Sequence, residues 1–199
     1  WPGAFEGVGA SGLAWLERVK SETGLPVTTE VATAQHVHDC LRHNIDVLWI
    51  GARTTVNPFS VQEIADAIKG VDIPVMEKNP IHADLQLWLG AIERVNNAGI
   101  KKIVAVHRGF HFFGKSKYRN KPMWELMIEL KTLVPELPII CDPSHISGKR
   151  DLIQHVAKKA LNLGVNGLMI ESHPNPDKAW SDAAQQVTPD RLVEILGQL

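Results

Sequence analysis

Three cations stand where apolar runs give out: Arg53 in "WIGARTT", Lys78 in "VMEKNP" and Arg108 in "VAVHRGF". A guanidinium fork binds phosphate or carboxylate oxygens two at a time, and an ammonium adds a compact charge. Three such groups at equivalent positions repel one another unless an anion lies among them, which points to a small phosphorylated or carboxylated substrate. The competing reading gives each cation a nearby carboxylate. A second set is His145 in "IICDPSHISG", Glu171 in "GLMIESH" and Asp182 in "PNPDKAWSDAAQQ". One imidazole and two carboxylates suit a divalent metal such as Mn, Fe, Co or Zn. Their wide spacing leaves a hydrogen-bonded network without metal equally open.

These residues need elements to carry them. The chain alternates strand and helix: strands over 25–31, 46–52, 73–80, 102–109, 137–145 and 167–173, and helices over 32–44, 60–70, 84–99, 123–134, 149–164 and 189–199. The strands are near-continuous apolar runs, as parallel strands buried on both faces require. Leu152, Val156, Ala160 and Leu163 form an apolar helix stripe. The pattern is α/β. Glu30, Ala52-Arg53, Lys78-Asn79, His107-Arg108, Asp142 to His145 and Glu171 to His173 all fall at strand ends. Polar endings on every strand favour a TIM (β/α)8 barrel, whose strand ends converge on one face, over an open sheet. "IICDPSH" then reads as a buried strand emerging into that face.

Composition removes other classes. Of 199 residues, 44% are hydrophobic and the net charge is −1, which excludes a nucleic-acid surface or an acidic disordered tail. No apolar run approaches the roughly 18 residues of a membrane span. Two Cys and no targeting segment predict a reduced, cytoplasmic protein. Cys40 reads as packing and Cys141 as a buried thiol. His36, His38 and His43 read as solvated surface, and Trp15, Trp88 and Trp124 as helix packing. No Gly-rich phosphate loop is present. No low-complexity linker divides residues 1–199, which read as a single domain.

The strings "WIGARTTVNPFSVQ", "EKNPIHADLQLWLGAIERV", "VAVHRGF", "YRNKPMWELMIELK", "IICDPSHISGKRDLI" and "GLMIESHPNPDKAWSDAAQQVTPDRL" cover most of the chain. Together they resemble type I DAHP synthases, in the branch related to KDO-8-phosphate synthase and often fused to chorismate mutase. The resemblance implies a TIM barrel that joins phosphoenolpyruvate to erythrose 4-phosphate, the first step of the shikimate pathway to chorismate and aromatic amino acids. It implies that Arg53 and Arg108 hold the phosphoenolpyruvate phosphate and that Lys78 lies near the carboxylate and the reacting carbon. Glu30 falls in the same pocket, with Ala52 and Asp142 among the substrate-binding residues. His145, Glu171 and Asp182 match metal ligands, so that Lys78, Glu30 and His145 form the implied catalytic set. A homo-oligomer and a fused or associated chorismate mutase are the implied protein partners.

The chain departs from that pattern in three ways. The "AGPCS"-like motif that supplies a Cys ligand is absent, and so is the "KPRT" substrate motif. Trp1 running into "PGAFEG" looks like a join with a loop removed, so the six strands read as strands three to eight of a barrel whose first two are missing. Glu77 stands where related sequences more often carry an apolar residue, and alternation should aim it away from Lys78. Two other functions stay open: a KDO-8-phosphate synthase-like enzyme accepting arabinose 5-phosphate, and a non-catalytic domain regulating chorismate mutase.

Overall fold

The computed structural model describes Phe5 and residues 7–199. They form two compact units, one of residues 7–105 and one of residues 106–199 with Phe5. In the first, helix α1 (Ser11–Thr23) stops at Gly24, whose φ of 70° lets its N–H return to Lys20 O. Strand β1 (Thr28–Val31), helix α2 (Ala34–Arg42), strand β2 (Val47–Ile50), the single turn α3 (Ala52–Thr55), helix α4 (Pro58–Ala67), strand β3 (Val75–Lys78) and helix α5 (Leu85–Asn97) follow. Side chains fix the helix starts: Thr33 accepts from His36 N–H, Asn57 from Phe59 and Ser60 N–H ahead of Pro58, and Asp84 from Leu87 N–H. β1 pairs in parallel with β2, Glu30 opposite Trp49, and β2 with β3, Ile50 opposite Glu77. Leu48, Ile50, Val75 and Trp88 are buried in its core.

Strand β4 (Ile103–His107) runs from the first unit into the second. There follow α6 (Trp124–Leu133), β5 (Ile139–Cys141), the short helix α7 (Pro143–Ser147), α8 (Ile153–Asn162), β6 (Gly167–Leu168) and α9 (Pro189–Leu196). Asp142 N–H reaches His107 O, and Ile140 stands opposite Gly167 in the parallel β5–β6 pair. Ile153, Val187 and Ile195 form a core with Ile170 and Leu192 against it. The six strands order as β1-β2-β3-β4-β5-β6. A parallel sheet in chain order with intervening helices is the pattern of six consecutive units of a (β/α)8 barrel.

Four expectations need correction. The strand over 137–145 ends at Cys141, because Asp142 and Pro143 open a helix that carries His145. Arg53 lies in α3 rather than in the strand, and the last strand spans only Gly167–Leu168. Trp15 is 58% exposed instead of packed, since among α1 residues only Leu13 is buried. The Trp1–Pro2 join lies outside the described residues. No described helix is long and apolar enough to cross a membrane.

Candidate active site

In the second unit the chain gathers His145, Glu171 and Asp182, with one ligand atom of each within 4.8 Å of the others. Asp142 starts the arrangement. Its Oδ1 accepts the His145 N–H at 2.9 Å and so caps α7, while its Oδ2 lies 2.8 Å from His145 Nδ1. One carboxylate therefore fixes both the helix start and the ring. His145 Nε2 then stands 3.5 Å from Asp182 Oδ2, and Nδ1 stands 3.7 Å from Glu171 Oε1.

Each carboxylate is held by its other oxygen. Gln185 Nε2 donates to Glu171 Oε2 at 2.8 Å, and Arg119 donates to Asp182 Oδ1 at 2.6 Å and to Gln185 Oε1 at 2.6 Å. Asp182 sits on left-handed backbone, φ 50°. Its hydrogen bond to His145 and the Arg119 guanidinium hold the Asp182 carboxyl well below the usual range. Burial raises Glu171, with His145 and Gln185 pulling the other way. Oxygens turned toward one imidazole, each steadied from behind by a donor, fit a divalent first-row metal, whose ligands are ordinarily oriented by such partners.

Arg108 belongs to the same unit. Its guanidinium donates to Asn120 Oδ1 at 3.0 Å, and Asn120 Nδ2 donates to His145 O at 2.7 Å. Asn120 thus bridges the end of β4 to α7. Gly109, at φ 75°, is required there, because a Cβ would run into the Asn120 backbone. His107 is fully buried between Phe110 and Trp124. Burial drops its imidazole to about 3, so it is a neutral packing group.

In the first unit Glu30 and Lys78 lie at strand ends, and Ala52 and Arg53 open α3 just past β2. The Glu30 carboxylate lies directly against Gly51, leaving no room for a Cβ. Ala52 is buried and Arg53 exposed in α3. Lys78 is buried with its Nζ 4.3 Å above the Trp49 ring, a cation–π contact. Glu77 turns to the other side, where its Oε1 is 2.7 Å from Thr55 Oγ1.

The cysteines hold no chemistry. Both are free and buried, and burial pushes the Cys40 thiol up to about 11 and Cys141 well above its ordinary value. His43 is not simply solvated: it pairs with Glu17 at 2.9 Å. Arg119, Asn120 and Gln185 escaped sequence reasoning. Their signal was there in "YRN" and "AAQQ", but nothing in their spacing names a partner 25 to 66 positions away.

The family model described as the DAHP synthetase I family matches residues 2–199. The phospho-2-dehydro-3-deoxyheptonate aldolase of Thermotoga maritima is 29% identical over 198 residues, covering 100% of this chain and 56% of its own. The 2-dehydro-3-deoxyphosphooctonate aldolase of Legionella pneumophila is 29% identical over 203 residues, covering 94% of this chain and 69% of its own. The crystal structure of the Thermotoga maritima DAHP synthase superimposes with a TM-score of 0.86 at 28% identity, over 100% of this chain and 56% of that one. A truncated form of the Thermotoga 3-deoxy-D-arabino-heptulosonate 7-phosphate synthase gives 0.83 at 28% identity, over 98% and 72%. The chain thus spans about half the length of the full-length Thermotoga relative.

Proposed function

The chain belongs to the DAHP synthetase I family, and from that premise we propose that it takes part in condensing phosphoenolpyruvate with erythrose 4-phosphate to give DAHP and phosphate. The observation that carries this reading is the His145–Glu171–Asp182 cluster with its oriented partners. His145, Glu171 and Asp182 would hold a divalent metal, which when bound supplies Lewis-acid polarisation of the aldose carbonyl.

The remaining roles belong to this chain's own side chains. Arg53 and Arg108 serve the phosphoenolpyruvate phosphate with forked hydrogen bonds. Lys78 serves its carboxylate and moves a proton at the reacting carbon. Glu30, Ala52 and Asp142 complete the substrate pocket. The enol carbon of phosphoenolpyruvate bonds to the aldehyde carbon of the aldose. Water adds at the neighbouring carbon, and the C–O bond to phosphate breaks. Fixed cations offset the charge that builds on phosphate and carboxylate. The two buried free thiols are in keeping with a cytoplasmic location.

A second reading has its own support, because the Legionella relative named for the octonate reaction is equally identical to this chain. In that case the acceptor is arabinose 5-phosphate. "GARTT" and "YRNKPMWELMIELK" favour the four-carbon acceptor. The test offers both aldose phosphates side by side and follows phosphate released from phosphoenolpyruvate. Release that depends on erythrose 4-phosphate upholds the first reading, and release that depends on arabinose 5-phosphate upholds the second. No aldose-dependent release from the chain within its full natural polypeptide would sink both.

A further inference from the structure

Glu77 is a carboxyl group with no place in the mechanism above, and it is completely buried. Its Oε1 is 2.7 Å from Thr55 Oγ1, and its Oε2 has no hydrogen-bond partner among the described residues. Thr55 Oγ1 also lies 3.0 Å from Gly51 O and 3.0 Å from Lys78 O. That hydroxyl has a single proton to give and three oxygens around it. Gly51 O already accepts the N–H groups of Thr54 and Thr55, which fills its two lone pairs, so the Thr55 proton goes to Lys78 O or to Glu77 Oε1. If Thr55 donates to Lys78 O, an ionised Glu77 faces another oxygen at 2.7 Å with no proton between them. A buried carboxylate with one oxygen unpartnered and the other in that position is strongly disfavoured. A proton on Glu77 resolves the count, and 2.7 Å is the ordinary length of an O–H···O bond.

We propose that Glu77 is a positioning residue whose carboxylic acid donates to Thr55 Oγ1 while Thr55 donates to Lys78 O, bracing the turn that bears Arg53 against the strand end that bears Lys78. Burial raises the Glu77 carboxyl to about 8, in agreement with the proton count. The brace joins consecutive strand ends through side chains, where the β2–β3 ladder itself stops at Ile50 and Glu77. Trp88 Nε1, donating to Glu77 O at 3.3 Å, holds the same residue from α5. What Arg53 and Lys78 bind rests on the function proposed above; the brace itself does not.

Isotope-edited infrared spectra of the full chain test the proton. With labelled Glu carboxyls at pH 7, the difference between the chain and Glu77→Gln should contain the carbonyl band of an unionised acid. Thr55→Val should shift that band toward the position of an acid without a hydrogen bond. A difference containing only carboxylate bands overturns the proposal. Hydrogen exchange tests the bracing. The Thr54 and Thr55 amides should exchange at least tenfold faster in Glu77→Leu and stay near the parent rate in Glu77→Gln, whose amide also donates. Thr55→Ser against Thr55→Val repeats the comparison should the Leu variant fail to fold. Equal protection in the variants with and without the donor overturns the bracing. Calorimetry adds a third arm: phosphoenolpyruvate affinity should fall about tenfold in Glu77→Leu and recover in Glu77→Gln. Absence of binding in the parent chain would refute the role given to Arg53 and Lys78, and infrared and exchange would still decide the brace.

Discussion

Asp142 serves two neighbours at once: one oxygen caps α7 and the other holds the His145 ring. Asp142→Asn keeps the capping oxygen but replaces the ring's acceptor by a donor. Metal affinity should fall 10–100-fold, the usual cost of losing an outer partner of a ligand, with the fold retained by circular dichroism. His145→Ala goes further and should lower bound metal sharply; unchanged stoichiometry by elemental analysis would remove His145 from the ligand set. Arg108 donates to Asn120 Oδ1, which orients its guanidinium at the end of β4. Arg108→Ala should weaken phosphoenolpyruvate binding by about 1.5–3 kcal/mol, the scale of a hydrogen bond to a charged group. Calorimetric affinity equal to the parent's would exclude Arg108 from the phosphate site.

At the scale of the element, the turn after α7 controls the cluster from a distance. Gly148 has φ 64°, and a Cβ there would overlap Arg119, the residue that holds Asp182 and Gln185. Gly148→Ala should cost about 1–2 kcal/mol for left-handed backbone alone and loosen the metal site as Arg119 moves. Urea unfolding and a metal titration read the two effects separately. Elements of this kind mark how far sequence reasoning reaches. The strands were legible because buried parallel strands leave continuous apolar runs, and the helices because their stripes repeat. His145 and Glu171 were read at strand ends and Asp182 in the loop beyond, and the structure brings the three together with His145 on a helix and Glu171 past the end of β6. The start of α7 was hidden, since "IICDPSH" continues an apolar run into polar residues, and only the Asp-Pro pair signals a cap and first helical position. The partners Arg119, Asn120 and Gln185 were hidden for another reason: their contacts arise from loops meeting in space, which no local periodicity records.

For the molecule as a whole, Glu77 links protonation to stability. Its carboxyl is raised from 4.5 to about 8 on folding, so between those values the folded chain binds more protons than the unfolded one. Stability from this group is fully present below pH 4.5 and is lost as pH rises through 8. The full loss is on the order of 5 kcal/mol. The urea midpoint of the parent should therefore fall between pH 5 and pH 9 relative to that of Glu77→Gln; parallel midpoints would show that Glu77 does not titrate in that window. On the opposite face of β3 the Lys78 ammonium stands over Trp49, and this makes the chain its own optical probe. A positive charge beside an indole shifts and quenches its emission, and an anion docking on Lys78 redistributes that charge. Fluorescence that changes on adding phosphoenolpyruvate, and loses the change in Trp49→Phe while Trp88 and Trp124 still emit, would report occupancy of Lys78 without label, turnover or coupling enzyme.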